Sequence, residues 1–480
     1  MASVDGLVTG MSTTDTINQL MKIEAAPQAA LRNKVNTANK VVTAYQSVNS
    51  RMSSIGTAAK ALTDANSWKS MKATSSSDAA VVSAQPGASA GSMSFRVNQL
   101  ATTHAATFTG GSVTSISDAA TSPVMNGSSF DIELADGTTQ TVSPTDASLQ
   151  SVVSAINNTA NAAYKASAVQ ISPGKYTLQL TATKSGQDGD FAIPSGLDNL
   201  GTGVVTTQGA NAQLTVGTTA DAYTIESASN TFADVLPGVT VTATKVQSAS
   251  DAQVTIDLSS DTEGLAAKVQ ALVDNANTAL TEIAAQSKTK SGEISAGVLV
   301  GDSAMRKLTQ DILSAVSGGA TGLGSNGGNA SYNAVGISVD RSGKLTFDKD
   351  KFLESYKADP AKTQQFFDGY EEKAGGTPAK FDPGHDTSVG LARKLDTLAL
   401  VATEGVVDPT NPTRPKEGIL QGLIQRRNDN IRRLNDQVSE WDIRLDLRKT
   451  SLQRQFSNLE VAMGKMQQQS SWLSSQLANL

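Results

Sequence analysis

The sequence predicts a multidomain α+β fold: a terminal α-helical coiled coil and helical-bundle leg, with β-rich head domains inserted between the two ends. Three observations predict it. At the carboxy end Ile431, Val438, Leu445, Leu452, Leu459, Met466, Leu473 and Leu480 recur every seven residues, one a-position seam of a long helix. Near the amino end Val41, Tyr45, Val48, Met52, Ile55, Ala59 and Leu62 step by four and three, again a heptad pattern. Between them lies a long Ser/Thr/Gly-rich stretch whose apolar residues alternate with the period of two of half-buried strands. A chain ordered in this way folds back so that its ends pair and its middle projects, a shape for assembly rather than catalysis.

Taken in order, the first 30 residues carry Gly6, Gly10 and several Thr, with Ile17, Leu20 and Met21 on one possible helical face. That density of Gly and Thr predicts a segment flexible until it meets a partner. A helix follows from about Pro27 to Leu62, with Pro27 acceptable in its first turn. Strands are predicted at Ala80–Ser83, Met93–Val97, Phe130–Leu134 with a hairpin turn at Asp136-Gly137, Thr141-Val142, Tyr176–Leu180 and Val239–Ala243. One helix interrupts them, from about Ser148 to Asn161, with Leu149, Val152, Val153 and Ile156 on one face. A second helical block starts near Asp261 and carries Leu265, Val269, Leu272, Val273, Ala276 and Leu280; another helix spans about Met305 to Ala315. The Gly-rich run from Ser317 to Gly328 reads as a flexible loop, and Val335–Val339 with Lys344–Phe347 as a hairpin around Asp340–Gly343. Pro378, Pro383, Pro409, Pro412 and Pro415 mark loops, and the last helix starts near Glu417.

That last helix is not a strict two-stranded zipper. Its d positions begin apolar with Leu434 and Trp441 but decay to Arg448, Gln455, Gln469 and Gln476. A second apolar line, formed by Ile443, Leu447, Phe456, Met463 and Leu477, runs beside the first. The seam therefore widens into a broader contact, and burial of one Leu-sized side chain stabilises by about 1.5–3 kcal/mol. The Val41–Leu62 row reads as ordinary bundle core. The Leu445–Leu480 row is too long and too terminal to be buried by this chain alone, and reads as an assembly surface.

Composition narrows the function further. The 480 residues contain 39 Lys+Arg against 45 Asp+Glu, a net charge of -6, so the basic footprint of a nucleic-acid binder is missing. No apolar run approaches the roughly 20 residues needed to span a membrane. Cysteine is absent, which removes disulfides, thiolate catalysis and Cys–zinc sites together. Met1 to Met21 lacks a basic region followed by an apolar one, so no cleaved secretory signal is expected.

Candidate chemistry is thin. The two histidines, His104 and His385, are far apart and read as isolated surface residues. Asp340 to Asp348 lacks the ligand alternation of a calcium loop and reads as a turn. Glu371-Glu372 and Glu404 with Asp408 sit in polar, loop-like surroundings unsuited to acid–base work. The Gly pairs 318-319 and 327-328 lack the Lys and spacing of a phosphate loop. No catalytic set, cofactor site or metal site is expected.

Several segments resemble one family. Val4 to Met21, reading VDGLVTGMSTTDTINQLM and continued by Ile23-Glu24 and Pro27, is similar to the opening of the flagellar filament-capping proteins, the FliD-type or flagellar hook-associated protein 2 family. Phe95–Ala101 resembles the strand that closes that family's amino-terminal region, and Ser229–Phe232 with Leu236–Val239 its mid-chain turn and strand. Gly301-Asp302 with Arg306, then Val335–Ile337 and Gly343–Asp348, resemble its carboxy-terminal region, which the closing helix with Phe456, Leu459, Glu460, Met463, Met466 and Leu473 completes.

The resemblance implies a division into four parts: residues 1–40 with 430–480 as the terminal leg with disordered tips, 41–71 with 259–429 as a helical bundle with a hairpin, 72–105 with 205–258 as a β-rich head, and 106–204 as a second head inserted in the first. It implies a non-enzymatic cap at the distal end of the bacterial flagellum, a homo-oligomeric ring under which exported flagellin folds and inserts. The implied partners are flagellin, hook-associated proteins at the filament end and an export chaperone, with neither nucleic acid nor membrane insertion. Export would use the flagellar type III apparatus without a cleaved signal. Ile17, Leu20, Met21, Leu452, Leu459, Met466, Leu473 and Leu480 are the expected contacts with neighbouring subunits or the filament. Two other readings stay open: another axial protein, such as a hook–filament junction protein or flagellin, and a surface adhesin whose head binds mucin or other glycans.

Overall fold

The computed structural model describes residues 12–110, 116–293, 295–372, 385–408 and 411–477. The chain divides into two compact units, Met1–Asp64 with Thr262–Leu480, and Ala65–Asp261.

The first unit is built of helices. Ser12 caps the first, Thr13–Glu24, by accepting from the Asp15 amide at 3.3 Å, so the stretch expected to be flexible is helical from Thr13 onward. Met1 to Met11 lie outside the described residues. A second helix, Ala26–Thr63, has Pro27 in its first turn, where the missing N–H costs nothing. Its heptad row is core: Val48, Met52, Ile55, Ala59 and Leu62 are fully buried, and Tyr45 nearly so. This helix packs against Thr262–Ser287, Leu391–Thr403 and the 59-residue carboxy-terminal helix, Ile419–Leu477. Gly56 sets the closeness of one crossing, since a Cβ there would stand 3.1 Å from that of Ala399.

Polar side chains fix the register of this unit. The Tyr45 hydroxyl donates to Asp302, whose other oxygen caps the helix Ser303–Ser317 by accepting from the Ala304 and Met305 amides at 2.8 and 3.3 Å. Burial, with the Asp302 carboxylate beside it, pushes the Tyr45 phenol up to about 12. In the hairpin of Ile337–Val339 and Leu345–Phe347, the Asp340 carboxylate accepts from the Ser342 hydroxyl and from the Ser342 and Lys344 amides. Those bonds, the Ser342 hydroxyl first, hold its carboxyl below the usual range. The acid serves its own turn.

Three further expectations change. The Ser317–Gly328 loop, read as flexible, is tied at its base: Ala320 and Ala330 exchange backbone hydrogen bonds and Lys394 Nζ donates to the Gly319 carbonyl at 2.6 Å. Residues 411–417, read as loop from Pro412 and Pro415, form a strand, Asn411–Glu417, paired with Gly405–Asp408. A two-stranded ribbon has free edges on both sides, and both prolines fall where the register skips, so no ladder donor is lost. Pro378, Pro383 and Pro409 lie outside the described residues.

The third change concerns His104, which is buried and not on the surface. It belongs to the second unit, which holds two β-cores. In the first, an antiparallel sheet orders Met71–Ser75, Val254–Ser260, Gly91–Gln99, Ala212–Val216 and Tyr223–Ser227. It shares a core of Phe95, Val97, Leu214, Val254 and Ile256 with Phe232, Val239 and Val241 from a three-stranded sheet. The second core lies within residues 106–200, where the sheet Tyr164–Ser172, Lys175–Ser185, Thr103–Gly110, Thr202–Thr207 packs with the helix Leu149–Asn158. The chain crosses between the cores near Thr102 and Ala210, which are bridged to each other. His104 follows that crossing on the strand face of Ala106 and Phe108, its ring edge-on to Phe191 at 4.5 Å and its Nδ1 3.0 Å from Asp190 Oδ1. Asp190 also accepts from the Gly209 amide at 3.1 Å and Gln208 Nε2 at 2.6 Å. The side chain of His385 lies outside the described ones.

Two substitutions test these anchors. Tyr45→Phe removes a hydrogen bond to a charged acceptor and should lower unfolding stability by about 2 kcal/mol in urea denaturation. Asp190→Ala strands the buried Gly209 amide at the crossing and should cost about 1–3 kcal/mol by the same measurement.

Candidate assembly surface

The helices of the two ends meet in an antiparallel pair. Gln28 Nε2 donates to the Asp442 carboxylate, Arg32 reaches the same oxygen at 3.3 Å, and one turn nearer the amino end Glu24 pairs with Arg448 Nε at 2.8 Å. As the number falls from 28, early in the second helix, to 24, at the end of the first, it rises from 442 to 448 on the carboxy helix, which fixes the antiparallel course. The exposed ion pairs contribute little, about 0–1 kcal/mol each. Apolar burial holds the pair: Ile17 on the first helix and Leu452 on the carboxy helix are each 6% exposed.

The carboxy helix then outruns its partners. At about 1.5 Å per residue its 59 residues extend roughly 90 Å, yet Leu420 and Leu452 are its only buried residues among those described. From Val461 to Leu477 every side chain is exposed, Gly464 aside, and the set includes Met463, Met466, Trp472, Leu473 and Leu477. Leu459 is 47% exposed, Leu473 55% and Met466 62%. Ile443 and Leu447, on the second apolar line, are exposed too.

The eight residues expected to make assembly contacts therefore fall into groups. Ile17 and Leu452 are buried within the protomer, Met21 is half-buried, and Leu20, Leu459, Met466 and Leu473 are exposed. Leu480 lies outside the described residues. Sequence reasoning missed the polar clamp of Gln28 and Arg32 on Asp442, residues some 410 positions apart with no local signal to link them. A groove lined by Pro27, Leu31, Lys34, Glu440, Trp441 and Arg444 runs along the pair. Its Arg444 guanidinium lies 5.5 Å from the Trp441 ring centre. The surface offers apolar contact area and paired charge, and no arrangement of acid, base and nucleophile. No group of metal-ligating side chains occurs among the described residues, and none of their helices is long and apolar enough to cross a membrane.

Exchanging the charges of Glu24 and Arg448 singly should cost less than about 1 kcal/mol, whereas Leu452→Asp should free the Thr13–Glu24 helix. Hydrogen exchange over residues 13–24 checks both, and equal protection in the two variants would contradict the apolar account.

Comparison with known proteins agrees with this construction. Residues 9–104 match the family model described as flagellar hook-associated protein 2 N-terminus, and residues 209–468 match that of its C-terminus. The flagellar hook-associated protein 2 of Escherichia coli (strain K12) is 26% identical over 515 aligned positions, covering 100% of this chain and 99% of that protein. The B-type flagellar hook-associated protein 2 of Pseudomonas aeruginosa is 25% identical and covers 100% of this chain and 98% of its own. The match to the lateral flagellar hook-associated protein 2 of Vibrio parahaemolyticus, 24% identical, spans 51% of this chain and 47% of that protein, about half its length. In fold, the chain is similar to the crystal structure of the D1-D2-D3 domains of the flagellar cap protein FliD from Escherichia coli, with a TM-score of 0.57 at 23% identity over 80% of this chain and 99% of that one. With more than half of its length matched by the family's models, and the paired terminal helices and β-rich middle laid out as described, the chain belongs to the flagellar hook-associated protein 2 family.

Proposed function

We propose that this chain is the structural cap of a bacterial flagellar filament, acting outside the cell at the filament tip and promoting the insertion of exported flagellin. The observation that carries the reading is the long carboxy helix of a chain that belongs to this family: its apolar row from Leu459 to Leu477 is exposed among the described residues. A helix with that much apolar surface is completed by neighbours. In this reading Ile17 and Leu452 hold the two terminal helices together. Leu20, Leu459, Met466 and Leu473, with Met21 beside them and Leu480 beyond, make the contacts with adjacent subunits and the filament end.

The capping role needs no reaction. It requires a homo-oligomeric ring of these chains over the growing end, with the division into leg, helical bundle and two heads that the family resemblance implies. Passage of the unfolded chain through the flagellar export channel suits a composition without cysteine and with only 4% aromatics. An export chaperone covering the apolar row before assembly fits the same surface.

Deleting residues 460–480 tests the reading. Cells relying on the truncated chain should grow few filaments and release flagellin monomers into the medium, measured by immunoblot of the supernatant against filament length by electron microscopy. Filaments of normal length with no flagellin release would overturn it.

A further inference from the structure

Methionine is the only sulfur-bearing residue in this chain, and its ten copies are unevenly placed. Met52, Met125 and Met305 are buried; Met21, Met71 and Met93 are half-buried. Met1 and Met11 lie outside the described residues. Among the described residues the two exposed ones are Met463, at 41%, and Met466, at 62%. They stand three apart on the carboxy helix, on its adjoining apolar lines, between Leu459 and Leu473.

We propose that Met463 and Met466 form an oxidation site through which peroxides control the chain's association. The thioether sulfur attacks the peroxide O–O bond and takes up one oxygen. It gives up two electrons, and the peroxide leaves as water or, from an organic peroxide, as an alcohol. The product is a sulfoxide, a polar and strongly hydrogen-bonding group, where an apolar contact is needed. Two oxidised sites on one apolar stretch would weaken the leg's contacts without disturbing the folded core, because both side chains are exposed and stand outside that core. Once a subunit is assembled the same contacts would cover the sulfurs, so the unassembled chain is the sensitive form. The consequence for association rests on the capping reading; the placement of the site does not.

The experiment treats the full-length chain with dilute hydrogen peroxide and maps oxidation by tryptic digestion and mass spectrometry. Arg454 and Lys465 place the two methionines in separate peptides, and Met52 and Met305 serve as internal controls. Met463 and Met466 should gain one oxygen at least about tenfold faster than the controls, which react only through openings of the fold. Equal rates would overturn the site. Filament growth with the treated chain should fall relative to its own untreated rate, and methionine sulfoxide reductase should restore it. In Met463→Leu/Met466→Leu the treated-to-untreated ratio should rise toward one. A ratio as low as that of the unsubstituted chain would overturn the proposed control. Failure of the untreated chain to support growth would instead overturn the capping reading, and the peptide map would still decide the site.

Discussion

The fold of the first unit depends on the closure of the chain's two ends against each other. The Ala26–Thr63 helix is completed only when segments from beyond residue 261 arrive: Thr262–Ser287, Leu391–Thr403 and the carboxy helix all bury its faces. Its row from Tyr45 to Leu62 would be an exposed apolar stripe in a chain cut before residue 262. Burial of each such side chain is worth about 1.5–3 kcal/mol, and the row holds several. The long loop this closure requires carries only a logarithmic entropy cost, so a large β-rich insertion between the ends is thermodynamically tolerable.

With few aromatics and no disulfides, specificity in this chain is assigned to polar groups at the seams. Asp302 joins Tyr45 to the cap of a separate helix. Asn277 brackets the backbone of Leu345, accepting its N–H and donating to its carbonyl, each at 2.8 Å, which pins the hairpin to the Thr262–Ser287 helix. Asp190 collects donors where the strands cross between the β-cores. Such groups add little net stability when paired and cost more when left unpaired, so they select one register among several apolar alternatives. The carboxy helix from Val461 to Leu477 is exposed instead, Gly464 aside. Its apolar side chains Met463, Met466, Trp472, Leu473 and Leu477 stand in the open there.

Much was legible locally. The heptad of residues 41–62, the apolar face of Leu149 to Ile156 and the alternation at Phe130 to Leu134 each state their element through a period of 3.6 or 2. His104 was not: its parity with Ala106 and Phe108 points it inward only once the strand Thr103–Gly110 is known, and its polar side chain suggested the surface. The strand through Pro412 and Pro415 was not, because proline there reads as a breaker unless the ribbon's free edges are known.

The sequence by itself determined the long helices with a clear apolar face, the strands with clear alternation, the exclusion of cysteine and basic-surface chemistry, and, through the segments from Val4 to Met21 and Gly343 to Asp348, the family. Those properties depend on residues within a few positions of one another. It did not mark the helices Lys349–Ala358, Pro360–Asp368 and Leu391–Thr403 or strands such as Met71–Ser75 and Thr103–Gly110. Tertiary structure alone decided which a-position residues are free. Leu452 and Leu459 occupy the same heptad position one repeat apart, yet one is 6% exposed and the other 47%. The Thr13–Glu24 helix is brought alongside by the pairing of Glu24 with Arg448, residues more than 400 positions apart, and no periodicity in either segment encodes that meeting.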